Sequence, residues 1–162
     1  MIIAITGTPG TGKTQVAKLL AKKLKWKLVD LNKLAEKKKF YKGFDKERNC
    51  KIVDIKKLAK NVKDMDGFPQ TSKKNLILEG HFSHDMPSDL VIVLRCNPRE
   101  LRKRMAKRRW PKAKVEENIE AEIMAICREE TREQGKRFLE IDTTEKKASD
   151  VVREIVNNLT LK

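Results

Sequence analysis

Apolar residues recur along this chain in two alternating rhythms. Short continuous runs at 1–5, 26–31, 75–79, 90–94 and 138–141 read as strands. Between them apolar residues return at helical spacing. Residues 15–24 carry Val16, Leu19, Leu20 and Leu24 on one face, and 54–65 carry Ile55, Leu58, Ala59, Val62 and Met65. Asn32 is placed to cap a short basic helix running to Lys39, and residues 66–69 (Asp-Gly-Phe-Pro) to end the helix before them. Pro98 opens an arginine-rich helix that Trp110-Pro111 breaks. A long helix is expected from 115 to 134, with Ile119, Ile123 and Ile126 on its core stripe and Gly135 as its stop. Val151, Val152, Ile155, Val156 and Leu159 mark a final amphipathic helix. Residues 40–45 and 80–87 read as turn and loop.

Strands alternating with helices predict an α/β fold with a five-stranded parallel sheet between helical layers, joined by right-handed crossovers. All 162 residues fit one domain, with no internal repeat or low-complexity tail. Ligands in such sheets gather beyond the carboxyl ends of the strands. That rule puts the segment after strand one, Glu79-Gly80-His81, Arg95 and the loop after Ile141 on one rim.

The segment after strand one is Gly7-Thr8-Pro9-Gly10-Thr11-Gly12-Lys13-Thr14, the G-x-x-x-x-G-K-T pattern of a phosphate-binding loop. Strand, glycine loop and helix are the setting this pattern requires. The glycines let successive N–H groups turn inward at a phosphate, and the following helix adds the positive end of its dipole. Lys13 can then reach the β- and γ-phosphates of a nucleoside triphosphate, and the Thr14 hydroxyl can ligate Mg²⁺. This chemistry predicts a three-layer phosphate-loop fold.

Composition narrows the partners. Lys and Arg number 38 against 23 acidic residues, a net charge of +15, and charged residues make up 38%. Such an excess attracts polyanions, although Lys/Glu-rich surfaces also arise as ion-pair networks of thermophile type. A signal peptide and a membrane-spanning run are not expected, and three scattered cysteines (Cys50, Cys96, Cys127) read as reduced thiols of a cytoplasmic protein. With His81 and His84 they lack zinc-site spacing.

A second tier of residues follows from position. Glu79 closes an apolar strand, the place from which an acid acts on Mg²⁺ directly or through water. His81, two residues on, can orient a water or hydroxyl or shuttle a proton, or be a satisfied polar group. Arg104 and Arg108 stand four apart, so one helix face would aim both at a single place. The basic stretch 108–118 then reads as a short lid that excludes water, or as a solvated basic face. Tyr41, Phe40 and Phe44 cluster in an aromatic-poor chain, as a local mini-core or as an arm over a planar substrate.

The loop motif, Tyr41-x-Gly43-x-Asp45, the acid-x-His of strand three, Val91-Ile92-Val93-Leu94-Arg95 and Glu117-Asn118-Ile119-Glu120-Ala121-Glu122-Ile123 together resemble the adenylate kinase isoenzyme-six family, in its archaeal form. The resemblance runs through most of the chain in order. It implies a nucleoside-monophosphate kinase with ATP on the loop, a monophosphate-binding segment near 30–53 and a lid near 108–118. By position, Gly10, Gly12, Lys13, Thr14 and Gln15 would hold the phosphates, Arg104 would lie against adenine and Arg108 on the phosphates. Thr14 and Glu79 would position Mg²⁺. The family also implies ATPase activity, a role in small-ribosomal-subunit maturation, and a small-subunit ribosomal protein and rRNA as partners. DNA and membranes are not expected partners.

Three positions depart from the family pattern. Glu79 replaces the usual Asp, Glu36 stands where Arg is common, and Arg109-Trp110-Pro111 replaces a Gly-Tyr after the lid arginine. These readings support ATP:AMP phosphotransfer. The alternative is an ATPase assembly factor, with a kinase for another small acceptor such as shikimate as a third class.

Overall fold

The computed structural model describes residues 1–47, 49–65 and 75–160. Five strands form one parallel sheet in the order β2-β5-β1-β6-β7: β1 (Ile2–Gly7), β2 (Lys27–Asp30), β5 (Leu76–Glu79), β6 (Leu90–Arg95) and β7 (Phe138–Asp142). The central strands β1, β5 and β6 are buried on both faces, as their unbroken apolar runs demand.

Alternation along each strand sends its side chains to opposite cores. Ile3, Ile5, Ile77, Ile92 and Leu94 meet α1 (Lys13–Leu24) and α7 (Ala148–Thr160) on one face. Ile2, Ala4, Leu76, Leu78, Val91 and Val93 meet α2 (Leu31–Lys38) and α3 (Ile55–Met65) on the other. The result is the three-layer α/β architecture expected. Every sheet strand points its carboxyl end the same way, so Gly7, Glu79, Arg95 and Asp142 share one rim.

Several local expectations give way. The cap of α2 is Asp30, whose carboxylate accepts from the Lys33 N–H at 3.1 Å, and Asn32 lies inside the helix. Residues 41–45 are a strand, β3 (Tyr41–Asp45), paired antiparallel with β4 (Cys50–Val53) in a separate hairpin. Phe44 stands 54% exposed there, while Phe40 packs against the core at the hairpin's base. The expected stop at 66–69 lies outside the described residues.

The helix expected over 115–134 is two helices, α5 (Lys112–Ile123) and α6 (Ile126–Glu133). Ala125 separates them in the left-handed region, φ 54°, which redirects the chain and leaves Ile123 65% exposed instead of on a core stripe. Leu19 of α1 likewise faces outward. Gly135, φ 64°, follows the end of α6. The arginine-rich helix α4 (Pro98–Ala106) is capped by Asn97 and packs on α5 through Leu101, Met105 and Ile119, with Trp110 and Val115 alongside. Residues 108–111 are the corner between them. Arg102 pairs with Glu116 across it.

Candidate phosphate-transfer site

The loop between β1 and α1 is shaped by close approach. A Cβ at Gly7 would stand 2.4 Å from the Leu94 carbonyl oxygen, and one at Gly10 (φ 97°) 2.8 Å from Leu101 Cδ1. Glycine is therefore required at both, for backbone conformation and for room. The loop opens into a cleft of about 830 Å³ on the carboxyl rim of the sheet. Gly10, Gly12, Lys13, Thr14 and Gln15 line it, as do Glu79, His81, Arg104 and Arg108. Residues drawn from three separate stretches of sequence thus meet in one place.

Lys13 is buried and donates to the carbonyls of Gly7 (2.8 Å) and Thr8 (3.1 Å). Burial lowers its pKa from 10.5 to about 8, and the Arg108 charge works in the same direction. Cys127, Glu79 and Glu122 oppose them. Beside it the Thr14 hydroxyl donates to Glu79 Oε1 at 3.0 Å. A hydroxyl and a carboxylate side by side at a phosphate loop are hard oxygen donors suited to Mg²⁺, which takes its other ligands from water and phosphate. Among the described residues no cluster of three His, Cys, Asp or Glu forms a closed metal cage. Thr14 and Glu79 are thus the residues that could hold such a metal, and the longer Glu79 side chain reaches the threonine.

His81 lies on the rim with its ring edge against Phe82. Desolvation lowers its pKa from 6.5 to about 4, with the Lys13 and His84 charges adding to the effect, so the ring is neutral at pH 7. Beneath it is a histidine to which the sequence assigned no role. His84 is buried, with Nδ1 2.7 Å from Thr6 Oγ1 and Nε2 2.8 Å from Glu130 Oε2, and Thr6 also donates to the His81 carbonyl (3.0 Å).

Arg104 and Arg108 both reach the cleft, but Arg108 lies two residues past the end of α4. Arg104 donates to the carbonyls of Thr143 (2.9 Å) and Thr144 (2.8 Å) on the loop after β7, and its Nε donates to Glu100 (3.1 Å). Arg108 stacks over Trp110 at 5.0 Å, and Lys114 approaches that ring at 4.4 Å. Thr143, Lys146 and Lys147 also line the cleft; the sequence places their loop on this rim without singling them out, and Asn32, expected as a helix cap, lines it too. The position of the Thr143 loop beyond a strand's carboxyl end is the signal that points to the first three. Glu36 is exposed on α2.

Comparison with known proteins agrees with this geometry. An AAA domain family model matches residues 3–125. A protein of Pyrococcus furiosus described as "Putative adenylate kinase" is 44% identical over 159 residues, covering 97% of this chain and 83% of its own. Counterparts with the same description in Pyrococcus abyssi (40%, covering 96% and 82%) and Methanocaldococcus jannaschii (40%, covering 96% and 84%) are similar over as much of their length. Among solved structures, shikimate kinase from Acinetobacter baumannii superposes with TM-score 0.67 at 18% identity (98% and 92% covered). Deoxyadenosine kinase from M. mycoides does so at 0.61 and 19%, with both chains fully covered. At such identity these two speak to the fold alone, that of phosphate-loop kinases. The close relatives go further: with its phosphate loop, its AAA domain match and near-full-length identity of about 40%, this chain belongs to the archaeal adenylate kinase family.

Proposed function

We propose that the protein transfers the γ-phosphoryl group of ATP to a nucleoside monophosphate, AMP foremost, releasing two nucleoside diphosphates. The observation that carries this reading is the convergence of Lys13, the Thr14–Glu79 pair, Arg104 and Arg108 on one cleft at the phosphate loop. Its volume suits a nucleotide. The names of the archaeal relatives support the choice of acceptor.

In the reaction an α-phosphate oxygen of AMP attacks the γ-phosphorus, and the bond to the β,γ-bridging oxygen breaks, leaving ADP on each side. The loop N–H groups hold the β-phosphate, and Lys13 leaves its carbonyl partners to follow the γ-phosphate. Thr14 and Glu79 would hold Mg²⁺, which would supply positive charge to offset what builds on the phosphate oxygens. Arg108 meets the charge spread over the transferring oxygens, while Arg104 and the Thr143 loop border the base. The segment 30–53, comprising α2 and the β3–β4 hairpin, takes the monophosphate. Lys33 and Lys37 flank Glu36 there and supply the cation that Glu36 lacks. The corner and first turns of α5, 108–118, act as the lid.

A coupled assay with AMP, CMP and dAMP as acceptors tests this. ADP formation dependent on the acceptor is expected, fastest with AMP. No transfer to any of the three sinks the reading.

A second reading rests on the net charge of +15. In it the same cleft hydrolyses ATP, with His81 orienting water, while the basic surface engages the small ribosomal subunit through a ribosomal protein and rRNA. It predicts that ribosomal small-subunit protein or RNA accelerates ATP hydrolysis, and that His81→Ala abolishes the acceleration while AMP phosphorylation survives. Turnover indifferent to both partners overturns it.

A further inference from the structure

Behind the phosphate loop, outside the cleft lining, lies a buried carboxylate to which phosphate binding assigns no part. Glu122, on α5, is 2% exposed. Its Oε2 accepts from the Thr8 hydroxyl at 2.5 Å, and its Oε1 from Arg95 Nε (2.7 Å) and the Cys96 N–H (2.9 Å). Arg95 also donates to the Glu122 carbonyl at 2.7 Å. One side chain thus ties α5 to the end of β6 and to the second residue of the loop.

Thr8 is the loop's internal hub. Its carbonyl accepts from Lys13 Nζ (3.1 Å), Thr11 Oγ1 (2.8 Å) and Thr11 N–H (3.3 Å), while its side chain, buried, bonds Glu122. We propose that Glu122 is a positioning residue for the ATP site, setting the phosphate loop through the Thr8 hydroxyl. This rests on the reading of Lys13 as the phosphate-binding lysine.

A hydroxyl bonded to a buried carboxylate makes a strong, charge-assisted contact, and its loss leaves the loop backbone without that anchor. The same Thr8 presents its carbonyl to Lys13 Nζ at 3.1 Å. Glu122 therefore fixes the residue on which the lysine rests, from outside the cleft lining.

The experiment measures binding of a fluorescent ATP analogue to the full chain, alongside ATP:AMP transfer and thermal melting. Thr8→Val keeps the shape of the side chain and leaves Glu122 bonded to Arg95 and Cys96. It is expected to weaken ATP binding on the order of tenfold, with the KM for AMP unchanged, and Thr8→Ser is expected to restore it. Glu122→Gln keeps the shape and removes the charge that assists the Thr8 bond, and is expected to weaken ATP binding several-fold with the KM for AMP unchanged. ATP affinity unchanged in Thr8→Val overturns the proposal, as does ATP affinity unchanged in a folded Glu122→Gln. If Glu122→Gln fails to fold, the Thr8 pair decides alone. Wild-type protein that binds ATP but transfers nothing overturns the kinase reading and leaves this inference to be judged on binding. Wild-type protein that does not bind ATP overturns both.

Discussion

At the residue scale the chemistry turns on two groups whose charge the cleft weakens. Lys13 has its pKa lowered to about 8 from 10.5, and His81 to about 4 from 6.5. Each is a base that the fold deprotonates early, so the unfolded chain binds more protons between each pair of values. Stability contributed by these groups therefore rises with pH, from about 4 to 6.5 for His81 and from about 8 to 10.5 for Lys13. ATP affinity runs the other way across the upper window, because only protonated Lys13 attracts phosphate. Urea midpoints followed against pH are expected to climb above pH 8 in wild type and to flatten there in Lys13→Met. Analogue binding to wild type weakens over the same range. A wild-type urea midpoint that falls above pH 8 while that of Lys13→Met falls equally contradicts the assignment.

At the element scale, two helices end on backbone conformations that side chains disfavour. Lys25 ends α1 at φ 56° and Lys39 ends α2 at φ 54°, where glycine is at ease. Lys25 is exposed, so Lys25→Gly is expected to raise stability by about 0.5–1 kcal/mol through relief of the left-handed strain, read as a higher melting temperature with kinetics unchanged. The α4–α5 corner is set differently, by Trp110 lying against both Arg108 and Lys114. Trp110→Ala removes the surface that orients Arg108. A kcat several-fold lower is expected, of the size of a cation–π contact, with ATP affinity moved less than kcat. If kcat is unaffected, Arg108 does not depend on the ring for its position.

The whole molecule divides its charge unevenly. Residues 1–65 hold 18 basic against 6 acidic residues, whereas 66–162 hold 20 against 17. In the second half arginines are drawn into pairs and chains with glutamates, Arg95–Glu140–Arg128 and Arg128–Glu129–Arg132 among them. The lysine excess falls around β2, at the edge of the sheet, and the segment 30–53 proposed to take the monophosphate. Were that segment to take AMP, this charge would steer the anion toward it, and kcat/KM for AMP is expected to fall by several-fold between roughly 0.05 and 0.5 M salt. Stopped or steady-state assays across that range check it, and a flat response places the steering elsewhere. No helix among the described residues is long and apolar enough to cross a membrane.

What was legible in the sequence is what short-range physics controls. The spacing of Gly7, Gly10, Gly12 and Lys13 specifies a phosphate loop because the groups that build it lie within eight residues. Unbroken apolar runs specified the parallel sheet because a strand buried on both faces has no polar side. Glu79 and His81 were legible by their position at a strand end. What tertiary structure decided depends on partners far along the chain. Residues 41–45 became a strand once β4 lay beside them, Ala125 divided the expected long helix in two, and Glu122 came to lie against the loop. Thr8 and Glu122 are 114 residues apart, and Thr143 reaches the Thr11 carbonyl across 132. Periodicity could place Glu122 on a helix, but only packing could take its charge out of water and set it against the loop.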